Sequence, residues 1–369
     1  MNDGGSALLP RGESLIPLFY ILFAYLCDIL YILSHPLWEA NVNMVQTLAY
    51  NETLKNRSVL SLMEWSPAEI QRVLYTARVM KQEPHSPAFR HALEGQHVAL
   101  LFELPSTRTR ISFQVAIQSL GASAVVLDWN QSQLGRGEPI RDTARVLSRY
   151  VSGVVARVRE HETLQEWRRW SRSPVFNALT NRMHPFQVLA DVMTIWERFG
   201  HMAGLKIAYL GDGNNMANSY LVLGAKLGFD VWIATPPAFQ PARDVVTWAE
   251  QEAQLTGGRI HLTADPLEAV HQADVVVTDV FLSMADDPEL NQLKHQQMAP
   301  FQVTPELMSR AKPNAIFLHC LPAHRGEEVA EEVLEGPQSA VFDEAENRLW
   351  VQKSVLYHVL ADTSAVLGG

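Results

Sequence analysis

Val98-Ala99-Leu100-Leu101-Phe102-Glu103-Leu104-Pro105-Ser106-Thr107-Arg108-Thr109-Arg110-Ile111-Ser112-Phe113-Gln114-Val115-Ala116 decides how this chain folds. Val98 to Leu101 form a short apolar run, the pattern of a buried strand. Ile111 to Ala116 read as helix. Two hydroxyl residues and an arginine therefore stand where a strand turns into a helix. A helix start offers free backbone N–H groups and the positive end of the helix dipole, and both suit a phosphate. Ser106, Thr107 and Thr109 add hydroxyl donors, and Arg108 adds a planar fork matched to phosphate oxygens. Ser-Thr-Arg by itself suits an ordinary capped helix. The longer Ser-Thr-Arg-Thr-Arg string directly after a strand is much rarer and reads as an anion cradle.

The same alternation extends along the chain. Ser66-Pro67-Ala68-Glu69 is a helix start, with a Ser cap, Pro at the first position and an acid at the third. That helix runs to about Met80. Strands follow at 97–102, 124–127, 153–156 and 175–178, separated by helices at 107–120, 140–150, 161–170 and 187–198. Gln131 to Pro139 is a polar, glycine-bearing loop. The pattern restarts near Gly204, with strands at 206–210, 230–234, 259–262, 274–278 and 315–319. Helices are expected at 216–227, 242–255 and 266–271, and a last one from about Lys353 to Leu360. This predicts an α/β fold of two doubly wound domains, each a mostly parallel sheet with helices on both faces. In open α/β sheets ligands bind beyond the carboxyl ends of the strands. Ser106, Asn215, Asp279 and Cys320 all follow such ends.

At 369 residues the chain is long enough for two ordinary domains. Its 47% hydrophobic content supports a full core. A net charge of −10 argues against non-specific nucleic-acid binding, so positive charge for an anion must be local. Two cysteines, Cys27 and Cys320, are too few for a disulfide framework or a Cys-rich zinc site, and a reducing compartment fits. Residues 15–33 are almost wholly apolar and, at about 19 residues, approach a membrane span. Pro17 and Asp28 count against one, a central carboxylate costing ~3 kcal/mol on insertion scales. A removable signal peptide lacks a clear cleavage site. The preferred reading is that translation starts at Met44 and that 1–43 is not part of the folded unit; a membrane anchor is the alternative.

Further constellations point to chemistry. Gly211-Asp212-Gly213-Asn214-Asn215-Met216 sits between a strand and a helix, but the third glycine of a dinucleotide fingerprint would fall at Met216. An NAD-dependent dehydrogenase is weakened accordingly. Asparagines here either cap a helix or recognise a polar, amino-acid-like ligand. His184-Pro185-Phe186-Gln187 opens a helix, where an imidazole and an amide together can hold a carbonyl oxygen. Asp279, after a strand, suits an ammonium or a plain turn. In His319-Cys320-Leu321-Pro322-Ala323-His324-Arg325, a zinc reading would use His319, Cys320 and His324, but no closed ligand set is evident. The thiol of Cys320, beside His and Arg, is expected to have a lowered pKa if it is not simply buried. Arg157 ends a strand, and Arg348 precedes the last helix.

Together these motifs resemble the aspartate/ornithine carbamoyltransferase family, from about Ser58 to Leu360. Ser-Thr-Arg-Thr-Arg marks the broad family, and His-Cys-Leu-Pro is similar to the ornithine branch, as is Asp279-Val280-Phe281-Leu282-Ser283-Met284. The resemblance implies that Ser106, Thr107, Arg108 and Thr109 bind the phosphate of carbamoyl phosphate. Arg157, His184, Gln187 and Arg348 would complete that site, with Arg157 and His184 on the carbamoyl oxygen. Gln133 would reach a neighbouring subunit's site in a homotrimer. Asn215, Asp279, Ser283 and Met284 would hold the amino-acid end of L-ornithine, with Asp279 and Cys320 near the δ-amine and Leu321 among the substrate-binding residues. The implied catalytic set is Arg108, Arg157, His184, Asp279 and Cys320. Neither metal nor organic cofactor is implied. The implied organisation is a carbamoyl-phosphate domain at 44–199, an ornithine domain at 200–345, and a C-terminal helix at 346–369 returning to the first domain. A cytoplasmic location is expected. The chain departs from the family at Ala285, where Gly is usual, and at Phe186, where smaller residues are common. Ala285 leaves putrescine or an acylated ornithine as other acceptors, and a non-catalytic relic as a further reading.

Overall fold

The computed structural model describes residues 54–282 and 291–362. The apolar stretch 15–33, the rest of 1–53, and Ser283, Met284 and Ala285 lie outside the described residues. The first half runs α1 (Pro67–Gln82), α2 (Pro87–Arg90), β1 (His97–Phe102), α3 (Thr107–Ser119), β2 (Ser123–Asp128), α4 (Ile140–Leu147), β3 (Gly153–Arg157), α5 (His161–Trp170), β4 (Val175–Leu179) and α6 (Pro185–Phe199). The second runs β5 (Lys206–Leu210), α7 (Asn215–Leu227), β6 (Asp230–Ala234), α8 (Arg243–Thr256), β7 (Arg259–Thr263), α9 (Pro266–Val270), β8 (Val275–Thr278), α10 (Asn291–Met298), α11 (Pro305–Met308), β9 (Ile316–His319), α12 (Glu331–Leu334) and α13 (Val341–Leu360).

Two sheets result, ordered β2-β1-β3-β4 and β7-β6-β5-β8-β9, with every pairing parallel. Parallel strands need covering on both faces, and the side chains comply at period two. Val98 and Leu100 of β1 enter one apolar cluster while Ala99 and Leu101 enter another. Ile207 and Tyr209 of β5 join the first cluster, and Ala208 and Leu210 face a third. One continuous core thus joins the inner faces of both sheets through α6, α7 and α13.

The predicted elements are present, and α1 begins with the expected capping box between Ser66 and Glu69. One boundary is corrected. The last helix begins at Val341, not near Lys353, so Arg348 lies inside it rather than before it. Asp343, Glu344, Glu346, Asn347 and Arg348 hide the helical pattern in the sequence, yet Glu344, Asn347 and Arg348 are buried there with distant partners. This helix packs on α1, α3 and α6, back against the first half.

Candidate active site

Each sheet changes direction once. The chain leaves β1 for β2 on one side and returns to β3 on the other; it leaves β5 for β6 and returns to β8. Adjacent loops diverge at these places and open a crevice at the strand ends. Ser106 and Arg157 stand at the first, Asn214 and Asp279 at the second, and Cys320 follows neighbouring β9.

The first crevice concentrates positive charge. Ser106 caps α3, its Oγ accepting from the Thr109 N–H at 3.4 Å, and the first turn of α3 holds no acidic residue. Thr107 and Arg108 are exposed beside it. Arg348 arrives from α13 and donates from Nη2 to Thr109 Oγ1 at 2.6 Å. Arg157 ends β3, in register with Phe102 of β1. Burial, and then the charges of Arg348 and Arg108, lower the Arg157 guanidinium to about 10, with Asp279 acting in the opposite sense. Arg348 is lowered as well, first by burial. Three guanidinium groups crowd together in a chain of net charge −10, an arrangement that calls for an anion.

Unpartnered atoms mark where that anion's other groups fit. Arg157 Nε, Arg348 Nε, His184 Nδ1 and Gln187 Oε1 are all buried without a hydrogen-bond partner. Each such atom costs about 1–3 kcal/mol unless something fills the gap. His184 caps the start of α6, held by its backbone N–H donating to Ser219 Oγ at 2.8 Å. Burial, then Arg348 and Arg157, keep its imidazole well below the usual histidine range. It is therefore neutral at physiological pH and can donate a hydrogen bond to a carbonyl oxygen without gaining charge. Gln187 donates from Nε2 to Asp191 Oδ1 at 2.8 Å and Glu344 Oε1 at 2.6 Å. Burial raises both of these carboxyls, Asp191 to about 6 and Glu344 well above its ordinary value.

The second crevice is nearly self-satisfied. Asp279 accepts from the Val280 N–H at 2.8 Å, from the Cys320 thiol at 3.0 Å and from Asn214 Nδ2 at 2.9 Å. Asn214 caps α7 through the Met216 N–H at 2.8 Å and also accepts from the Tyr209 hydroxyl at 3.1 Å. The capping reading of this turn is therefore the observed one. Asn215 spends its Nδ2 on the Thr180 carbonyl at 2.6 Å. Cys320 differs from expectation: burial, and then Asp279, push its thiol well above the usual value, so it is a protonated donor. The neighbouring His and Arg do not lower it, because Asp279 lies directly against the sulfur. Leu321 follows in a left-handed conformation, φ 57°, its N–H donating to His319 Nδ1 at 2.9 Å.

The structure brings Ser106, Thr107, Arg108, Thr109, Arg157, His184, Gln187, Arg348, Asp279 and Cys320 to the two adjoining crevices, with Asn215 and Leu321 at their edges. Gln133 is exposed in the loop after edge strand β2, and no hydrogen bond or ion pair ties it to the others. His319 is taken out of the zinc reading, since Nε2 faces Glu328 at 3.2 Å and Nδ1 is occupied. His324, Glu327 and Glu328 do each bring one ligand atom within 4.8 Å of the others, but none belongs to either crevice. Asn214, Asp191, Glu344 and Tyr220 were not singled out from sequence. The four-residue steps Gln187–Asp191 and Glu344–Arg348 on helices were the available signal.

Comparison with known proteins decides the family. The carbamoyl-P binding domain model of the aspartate/ornithine carbamoyltransferases matches residues 57–197, and the Asp/Orn binding domain model matches 203–359. This chain belongs to the aspartate/ornithine carbamoyltransferase family. An ornithine carbamoyltransferase of Pyrococcus abyssi is 47% identical over 304 residues, covering 82% of this chain and 96% of its own length. The anabolic ornithine carbamoyltransferase of Pyrococcus furiosus is 46% identical, covering 84% and 98%. Among solved structures, the Pyrococcus furiosus ornithine carbamoyltransferase superposes with TM-score 0.80 at 46% identity, covering 84% of this chain and 98% of that one. The Thermus thermophilus ornithine carbamoyltransferase gives 0.74 at 41% identity, covering 82% and 98%. Membership in this carbamoyltransferase family removes the dehydrogenase reading.

Proposed function

We propose that this chain transfers the carbamoyl group of carbamoyl phosphate to the δ-amine of L-ornithine, giving L-citrulline and phosphate. The observation that carries the reading is the three-arginine crevice with its buried unpartnered donors and acceptor. Ser106, Thr107, Arg108, Thr109 and Arg348 take the phosphate; Arg157 and neutral His184 take the carbamoyl oxygen; Gln187 Oε1 accepts from the carbamoyl NH2. Asp279 and Cys320 receive the δ-ammonium, and Asn215, Ser283 and Met284 hold the amino-acid end. Leu321 carries the chain past the reacting carbon.

The reaction is chiefly orientation and electrostatics. The δ-ammonium first loses a proton, then its nitrogen attacks the carbonyl carbon. The tetrahedral intermediate places negative charge on the oxygen beside Arg157 and His184. The C–O bond to phosphate breaks, and the second amine proton leaves with the phosphate. Holding two substrates in line contributes about 7–11 kcal/mol in well-oriented reactions. No step requires a metal or cofactor.

The domain assignment follows: carbamoyl phosphate on 44–199, ornithine on 200–345, and a returning C-terminal segment from 346. We assign a homotrimer or a multiple of one, supported by exposed Gln133 and by the exposed apolar side chains Ile111, Val115, Val125, Val146 and Tyr150 around α3, β2 and α4. Among the described residues no helix is long and apolar enough to cross a membrane, and we place the reaction in the cytoplasm. The relative named anabolic favours arginine synthesis. The test is a citrulline assay with both substrates, run beside putrescine and acylated ornithine. Binding of carbamoyl phosphate without citrulline would mark a non-catalytic relic; greater turnover of another amine would change the acceptor.

A further inference from the structure

Gln187 presents an amide whose orientation is readable from its surroundings. Nε2 points at two carboxyl oxygens, Asp191 Oδ1 at 2.8 Å and Glu344 Oε1 at 2.6 Å. The opposite oxygens of those carboxyls are engaged too. Asp191 Oδ2 accepts from the Tyr220 hydroxyl at 2.6 Å, and Glu344 Oε2 accepts from the His319 N–H at 2.9 Å. All five residues are buried, and they come from α6, α7, α13 and β9. With Nε2 placed there both carboxyl oxygens receive an N–H, whereas the reversed amide would be satisfied only by carboxyl protons aimed at its oxygen, so the nitrogen faces inward. Oε1 is left buried and without a partner, as are Arg157 Nε, Arg348 Nε and His184 Nδ1.

We propose that Asp191 and Glu344 are positioning residues that lock the Gln187 amide with its oxygen toward the substrate, so that the site selects a carbamoyl donor over the near-isosteric acetyl donor. This rests on the carbamoyl-transfer reading above. Carbamoyl and acetyl phosphate share the phosphate and the carbonyl. They differ only where one has NH2 and the other CH3. An acceptor fixed at that point is satisfied by N–H and stranded by a methyl group, and sites built to bond an N–H discriminate strongly for that reason. The same clamp ties Gln187, through Glu344, to the His319 N–H, one residue before Cys320. Both crevices thus share one buried support.

The test uses inhibition of citrulline formation by phosphonoacetamide, which has the NH2, and by acetonylphosphonate, which has the methyl group. The readout is the ratio of their inhibition constants, with inorganic phosphate as the control. The wild-type protein is expected to favour the amide by about ten-fold or more. Asp191→Asn with Glu344→Gln keeps shape but lets either amide end face Gln187, and should lower the ratio about ten-fold while phosphate affinity stays within about two-fold. Glu344→Gln alone should lower it about three-fold. A wild-type ratio near one overturns the proposal without any variant. So does an unchanged ratio in either folded variant, or a parallel loss of all three ligands, which would mark a merely structural strut. Wild-type protein that makes no citrulline would instead overturn the functional reading.

Discussion

At the ends of β1 and β3, three arginines crowd one another and several buried polar atoms have no partner. At the ends of β5, β8 and β9, Asp279 is already bonded to Asn214, Cys320 and the Val280 N–H. The first crevice holds uncompensated charge and gains most of its energy when an anion arrives. The second holds balanced groups, and a ligand there must add to or replace existing bonds. The difference teaches a division of labour. Affinity and carbonyl polarisation come from the arginine side; the amine side contributes placement and proton handling, where over-strong charge would hold the nucleophile as an ammonium.

Substitutions should separate the two sides. Arg108→Ala has the largest expected effect. The side chain is exposed, so folding should be unaffected, while carbamoyl phosphate affinity falls by about 10²-fold, the scale of lost charge-assisted bonds. Calorimetric titration with carbamoyl phosphate checks it, and near-normal affinity would break the charge argument. Cys320→Ala should act on the amine side alone. It leaves Asp279 Oδ1 with the Val280 N–H alone, and we expect kcat/KM for ornithine to drop about ten-fold with a shifted pH–rate profile and an unchanged KM for carbamoyl phosphate. Unchanged ornithine kinetics would remove the thiol from the mechanism.

Gly213→Ala tests how the second crevice is held. A Cβ there would lie 2.3 Å from the backbone of Gln240 and Pro241, so the turn carrying Asn214 must move. We expect a stability loss of about 1–3 kcal/mol and a several-fold rise in ornithine KM, with phosphate binding retained. The smallest effect concerns His358 on α13, which faces Thr76 Oγ1 at 2.9 Å. Burial, then Arg72, push its imidazole down to about 4. The unfolded chain takes up this proton as pH falls below about 6.5, while the folded chain resists until about 4. Stability therefore declines across that window. His358→Gln should lessen the decline by a few degrees of Tm, at about 2–4 °C per kcal/mol, leaving both substrates' kinetics alone. An equal decline in the variant would dissociate His358 from it.

Much of this was legible because the decisive features are local. A strand, a capped turn and a helix are encoded within about twenty residues, and Ser106 caps α3 as its position implies. Asn214 and Asn215, by contrast, are not told apart along the chain, because only the folded turn shows which amide meets Asp279. The Cys320 thiol is raised, where its sequence neighbours imply a lowering, for a related reason. Sequence neighbours suggest positive charge, whereas burial, and then Asp279 just after β8, act on the thiol. The first turns of the last helix stay hidden in the sequence, since Glu344, Asn347 and Arg348 look like a polar surface until Gln187, Thr194 and Thr109 are found beside them.

By itself the sequence determined the alternation of strands and helices, the phosphate turn at Ser106 to Thr109, and the family that those motifs mark. Strand periodicity, helix capping and turn chemistry act over a few residues, so they can be read in order along the chain. Tertiary structure alone decided which charges meet. Arg108, Arg157 and Arg348 converge from three distant segments, the Asp191–Glu344 pair forms between α6 and α13, and Asp279 reaches the thiol of Cys320. Burial and electrostatic coupling depend on distance in space, which the order of residues does not state.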